Sequence, residues 1–323
     1  MTGMTGTQRS DMEETLLKLG TLGLALAWDQ YLGEPPADIH PVVWMGEAAK
    51  ELMGKPTGDP EQDFARGLIA ALALPAASAA AGALIMRDLR KDGPLAELIG
   101  GAFLLKSTFS VRAMEEHARR VEDPLRRGDT EAARKAVAMI VSRDVSELDA
   151  SEIANTAVGS VTENITDSVT GPLLAYALFG IPGALAYRAI NTMDAMYGYH
   201  GEYEYLGKAA AKLDDAAAHI PARIAGATVV AAAGALGMDA AAAEKTMLEE
   251  HSRTPSPNSG WPIGASAGAL GIEIEKAGYY KLGPAGRKMD ADDIDRSLKL
   301  FAGAAALTAV LVAAAIIERH GKK

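Results

Sequence analysis

The sequence predicts an all-α, polytopic helical membrane protein with a re-entrant helical hairpin and cytoplasmic-type helical loops, and three stretches predict it. Residues 67–86 form an uncharged run bracketed by Arg66 and Arg87, about the 20 residues that a bilayer core requires. Its alanines, with Gly67 and Gly82, suit close helix packing. Residues 300–317 form a second run, followed by Arg319, His320, Lys322 and Lys323, a basic flank that favours a cytoplasmic C-terminus. Residues 171–187 are also apolar, but their centre is Gly180-Ile181-Pro182-Gly183. Pro lacks a backbone donor and Gly enters turns cheaply, so this stretch predicts two half-helices rather than one straight span. Pattern alone leaves a soluble alanine-rich bundle open, because 49% hydrophobic residues and a mean hydropathy of +0.04 are ordinary for a soluble protein.

Taken in order, residues 1–12 are small and polar and predict a disordered tail. They lack the basic start, apolar stretch and cleavage site of a signal peptide. Residues 13–323 are expected to form a single helical membrane domain. In residues 14–33 the apolar pattern is interrupted by Lys18 and Asp29, costly in lipid. Asp29 is either a helix end at the interface or a functional carboxylate. Residues 33–46, GEPPADIHPVVWMG, predict a turn and an extended path around Pro35, Pro36 and Pro41, with His40 as a structural hydrogen-bonder. Residues 106–160 predict amphipathic helices outside the membrane. One begins around Ser110, Arg112 and His117, the next are capped by Asp129 or Thr130 and by Ser151, and Arg143 and Asp144 lie at a junction. Residues 224–238 are a short apolar run that could just span with 219–222 before it. Residues 254–276 are too rich in Pro, Ser, Asn and Gly for a helix throughout and predict a loop followed by a helix start.

Composition removes several function classes. The chain carries 32 Lys and Arg against 42 Asp and Glu, a formal charge of −10, which argues against nucleic acid as a partner. Cysteine is absent, so disulfides, thiolate metal sites and cysteine nucleophiles are excluded. The six histidines are scattered without zinc-site spacing, and a hard, oxygen-bound cation remains.

The chemistry-bearing stretch is 163–215. It opens with Glu163, Asn164 and Asp167, resumes with Arg188, Asn191 and Asp194, and closes on Asp214 and Asp215. An N-x-x-D spacing thus occurs on both sides of the hairpin, and on a helix it places an amide and a carboxylate on one face. Magnesium takes one or two carboxylates while keeping waters and substrate phosphate oxygens, so Asp167, Asp194 and Asp214 are candidate ligands, expected to converge. Arg112, Arg143, Arg188, Lys208, Lys212 and Arg223 are candidate phosphate-binding residues. Tyr199 and the loop residues Ser256, Asn258, Ser259 and Trp261 add candidate substrate contacts. Residues 100–107, GGAFLLKS, lack the glycine before lysine that a phosphate-binding loop needs. Helix-to-helix hydrogen bonding inside a bundle is the competing account of the same residues.

These segments together resemble the adenosylcobinamide-phosphate synthase (CobD/CbiB) family of cobalamin biosynthesis. The stretches that carry the resemblance are GEPP with HPVVWMG, SVR around Arg112, SRD with LDASEI, ENITDSVTGPL, GIPGALAYRAINTMDAMYGY, LDD followed by IPAR, and SPNSGWPIGASAGALG. Departures at Ser142, Ser168, Gly171 and His219 remove none of the acidic residues. The resemblance implies an all-helical integral enzyme of the cell membrane. That enzyme joins the free propionate carboxylate of adenosylcobyric acid to 1-aminopropan-2-ol or its O-phosphate, with ATP as co-substrate and Mg2+ as cofactor. It further implies a corrinoid substrate, contact with membrane lipid, and association with other membrane enzymes of cobalamin assembly. A magnesium-dependent prenyltransferase is the alternative enzyme, but its D-x-x-x-D or D-D-x-x-D spacing is not continued after Asp214-Asp215. A non-catalytic transporter or scaffold is the alternative outside catalysis.

Overall fold

Lipid, rather than water, is the solvent that this chain's long helices call for. In the computed structural model, which describes residues 6–141, 144–199 and 201–321, three helical runs are long and apolar enough to cross a membrane: Pro60–Lys91, Ala150–Tyr197 and Ala291–Arg319. Only 33% of the apolar window of the first and 39% of that of the third is buried inside the protein. The remaining apolar surface would be unfavourable in water and is neutral in hydrocarbon. A bent pair, Lys208–Ala217 with His219–Ala235, makes a fourth candidate. The fold is therefore all-α and polytopic. It divides into two compact units, each assembled from separate lengths of chain.

The first unit comprises Met1–Ser110, Gly171–Ala217 and Ala309–Lys323. Its helices are α1 (Gly6–Leu32), α2 (Pro41–Met53), α3 (Pro60–Lys91), α4 (Pro94–Lys106), α8 (Gly171–Tyr197), α9 (Lys208–Ala217) and the end of α13 (Ala291–Gly321). Helix α1 starts inside the 1–12 stretch expected to be a tail. Helix α3 begins where Asp59 accepts from the Glu61 and Gln62 amides, with Pro60 in the first turn, the position where a missing N–H costs nothing. Residues 41–46, expected to be extended, open α2 instead. Pro41 again occupies the first turn, and His40 Nδ1 accepts from the Val42 amide as the cap.

Helix α8 is broken as the sequence predicts. Gly180 sits at φ 68°, ψ −159°, a backbone that L side chains rarely adopt, and the chain doubles back there. A Cβ on Gly183 would lie 2.8 Å from the Ala175 carbonyl oxygen, and one on Gly171 would overlap the Tyr187 ring. In a straight helix, 171 and 187 would be about 24 Å apart at 1.5 Å per residue. The halves, 171–179 and 181–197, thus form an antiparallel hairpin with glycines on its seam. It packs on α3 through Gly82, which lies beside Ile181, Pro182 and Leu185.

The second unit comprises Val111–Thr170 and Ala218–Thr308. It contains α5 (Arg112–Arg126), α6 (Thr130–Val137), α7 (Ala150–Ile165), a π-helical turn (Thr166–Thr170), α10 (His219–Ala235), α11 (Ala240–Glu250), α12 (Gly260–Leu270) and most of α13. Asp129 caps α6. The cap of α7 is Asp149 rather than Ser151, because Asp149 and Glu152 bond each other's backbone amides reciprocally. Helix α12 is almost wholly buried. Its Gly260, Gly264 and Gly268 face His251, Met247 and Ala242 so closely that side chains there would meet backbone, which seats α12 on α11. A two-stranded antiparallel ribbon, β1 (Ile274–Lys276) with β2 (Tyr280–Leu282), follows α12, and β1 lies at the end of the stretch read as a loop followed by a helix start. The Glu275 amide donates to Asn155 Oδ1 at 3.1 Å and ties it to α7.

Candidate active site

In the first unit the second half of α8 carries Arg188, Asn191 and Asp194 at three-residue spacing, hence along one face. Arg188 Nη1 donates to Asn191 Oδ1 at 3.2 Å, which orients a buried amide. After Asp194 the helix ends within a turn. The Gly198 amide donates to the Asp194 carbonyl at 2.7 Å, and a Cβ at Gly198 would overlap the Asp194 carboxylate. Only glycine therefore lets the chain leave the helix past that group. The following loop returns to the same helix end, because Gly207 lies directly on the Tyr197 carbonyl and Tyr203 meets Tyr197 edge-on at 5.3 Å. Tyr199 is exposed on this loop. Helix α9 then packs against α8 and α3, presenting exposed Lys208 and the partly buried Asp214 and Asp215, with Lys212 Nζ 3.8 Å from Asp215. This unit thus unites the second N-x-x-D copy, the acidic pair and three basic residues.

A second cluster in the same unit was not singled out as a site by its sequence. Lys106, at the end of α4, is fully buried. Its Nζ lies 3.1 Å from Asp29 and 2.9 Å from Glu34, and donates to the Phe109 carbonyl at 3.1 Å. Glu34 also accepts from His40 Nε2 at 3.1 Å. Since His40 Nδ1 is occupied by the Val42 amide, the proton sits on Nε2, and His40 is a structural hydrogen-bonder as expected. Burial alone would raise the Glu34 pKa, but hydrogen bonds from His40, Lys106 and Ser110 and the Lys106 charge outweigh it and hold that pKa at about 2. The signal in the sequence was Asp29, an acid inside an apolar run. Its partner Lys106 is 77 positions away and could not be inferred from spacing.

In the second unit, Glu163 and Asn164 stand at the end of α7 and Asp167 on the π-helical turn. Such turns often mark functional positions. Asn164 donates to the Ser160 carbonyl and accepts from Ser168 Oγ, both at 2.9 Å, so its amide holds the turn. Arg223 lies over the Trp261 ring at 4.7 Å, and the His251 ring stacks at 4.0 Å. Ser256 Oγ accepts from the Asn258 amide at 3.2 Å, and Asn258 is buried. Arg112 Nε donates to Glu116 at 2.7 Å on the surface of α5. Arg143 lies outside the described residues. Among the described residues, no three His, Asp or Glu side chains gather closely enough to hold a metal ion. Asp194 and Asp214 belong to the first unit and Asp167 to the second.

The family model described as "CobD/Cbib protein" matches residues 22–301. The "Probable cobalamin biosynthesis protein CobD" of Methanocaldococcus jannaschii is 42% identical over 87% of this chain and 91% of its own length. That of Pyrococcus furiosus is 40% identical over 87% and 93%. The "Cobalamin biosynthesis protein CobD" of Dehalococcoides mccartyi is 35% identical over 91% and 96%. No solved structure matches.

Proposed function

Because the chain belongs to the CobD/CbiB family of cobalamin biosynthesis, we propose that it catalyses ATP-dependent amide synthesis in the cell membrane. The substrates are adenosylcobyric acid and 1-aminopropan-2-ol or its O-phosphate. The observation that carries the reading is the family match running through all of the chemistry-bearing stretch 163–215. A carboxylate does not condense with an amine unaided. Its oxygen attacks the terminal phosphorus of ATP and ADP leaves. The amine nitrogen then attacks the acyl carbon, phosphate leaves, and the nitrogen gives up a proton.

The chain's own residues would bind and align these groups. Asp194 and Asp214 are the proposed magnesium holders in the first unit. A cage of three carboxylates is not needed, since this ion is held by one or two carboxylates together with substrate phosphates. Bound there, it would offset phosphate charge during transfer. Arg188, placed by Asn191, and Lys208 add positive charge on neighbouring elements, which favours a dissociating phosphoryl group. The test is direct: protein purified in detergent is incubated with ATP, magnesium, adenosylcobyric acid and each amine, and the coupled corrinoid is sought by mass. Folded protein that couples neither amine refutes the proposal.

A further inference from the structure

The first unit holds a cavity of about 510 Å³ at the tip of the α8 hairpin, far from the proposed chemistry. Thirteen residues of helix from 181 to 194 put Asp194 about 20 Å away at 1.5 Å per residue. The cavity is lined on one side by Leu178, Phe179, Gly180 and Pro182, and on the others by Lys18, Arg90 and Arg319, with Glu14 and Glu97 beside them. Lys18 pairs with Glu14 and Arg90 with Glu97, each at 2.7 Å. Arg319 differs. Its Nη1 donates to the carbonyl oxygens of Leu178 and Ala177, the groups that the break at Gly180 leaves without helical partners. Among the described residues it has no carboxylate partner, so its charge is not neutralised, and its Nε and Nη2 donors can serve an anion.

The cavity's position fixes what kind of anion. Arg90 and Arg319 stand just beyond the uncharged runs of α3 and α13, at the level where a bilayer's hydrocarbon gives way to headgroups. Leu178 and Phe179 are 52% and 70% exposed at the same level, suited to acyl chains. We propose that this cavity binds the phosphate of an anionic phospholipid headgroup, with Arg319 as its principal contact and the hairpin tip against the chains.

Delipidated protein in detergent is titrated with phosphatidylglycerol, phosphatidylcholine, glycerol 3-phosphate or inorganic phosphate, with retained lipid read by native mass spectrometry and Tm by thermal unfolding. Phosphatidylglycerol is expected to be retained and to raise Tm, with phosphatidylcholine weaker and the soluble phosphates inactive. Arg319→Gln should bind phosphatidylglycerol about fivefold more weakly, the effect of one basic residue at a membrane surface. Because that change could also loosen the hairpin, Ala83→Phe, which fills the cavity and keeps every charge, should abolish retention as well. Equal retention of both lipids, an equal response to free phosphate, or undiminished phosphatidylglycerol binding by Ala83→Phe would overturn the proposal.

Discussion

The hairpin is most sharply tested at Gly171. A Cβ there would overlap Cζ and Oη of Tyr187, whereas ordinary contact begins at 3.4 Å, so the ring would have to withdraw by over an ångström. Tyr187 is only 6% exposed and has little room to do so. Overpacking of this kind costs about 1–3 kcal/mol, and Gly171→Ala is expected to destabilise by that amount. In a Tyr187→Ala background the obstruction is gone. The same substitution should then stabilise by about 0.5–1 kcal/mol, because alanine has less backbone entropy to lose in a helix. The sign should therefore reverse between backgrounds. The measurement is a double-mutant cycle of reversible unfolding in mixed micelles, followed by circular dichroism as a denaturing detergent is titrated in. Equal effects in both backgrounds, within about 0.5 kcal/mol, would mean that residues 171 and 187 do not touch, and the hairpin reading would fail.

Lys106→Met should cost about 3–5 kcal/mol by leaving Asp29 and Glu34 without their buried cation, and Asp29→Asn in the same chain should restore part of it; a single variant as stable as wild type in the same titration would contradict the cluster. Glu34, held at about 2 against an ordinary 4.5, stabilises the fold above its unfolded value and loses that contribution as pH falls from about 4.5 to about 2. Glu34→Gln should flatten the stability profile in that window, and an unchanged acid limb would show that the carboxylate is not so held. For the proposed reaction, Asp194→Asn is expected to lose coupling activity while keeping its thermal unfolding profile. Wild-type turnover by that variant would remove Asp194 from the site.

The sequence by itself determined the elements whose signals are local. Uncharged runs bounded by charged residues marked α3 and α13, Gly180-Ile181-Pro182-Gly183 marked the break in α8, and the ordered family stretches marked the membership. These signals are legible because helix length, backbone permissiveness and motif order are properties of neighbouring residues. Local signals also misled in places. Pro41 suggested extended chain because proline breaks helices, yet in the first turn it has no hydrogen bond to lose. Ser151 suggested a cap, while Asp149 with Glu152 offered a better-satisfied one. Tertiary structure alone decided which groups at long range became partners. Burial of Lys106 against Asp29 and Glu34 joins residues 77 and 72 positions apart. It is set by how α1 and α4 pack, because a charge taken out of water must find its counter-charge wherever the fold has brought one. Arg319 reaches the hairpin-tip carbonyls of Ala177 and Leu178 across a similarly long stretch of chain. Carbonyls freed where a helix breaks need donors, and no local pattern says which distant side chain will supply them.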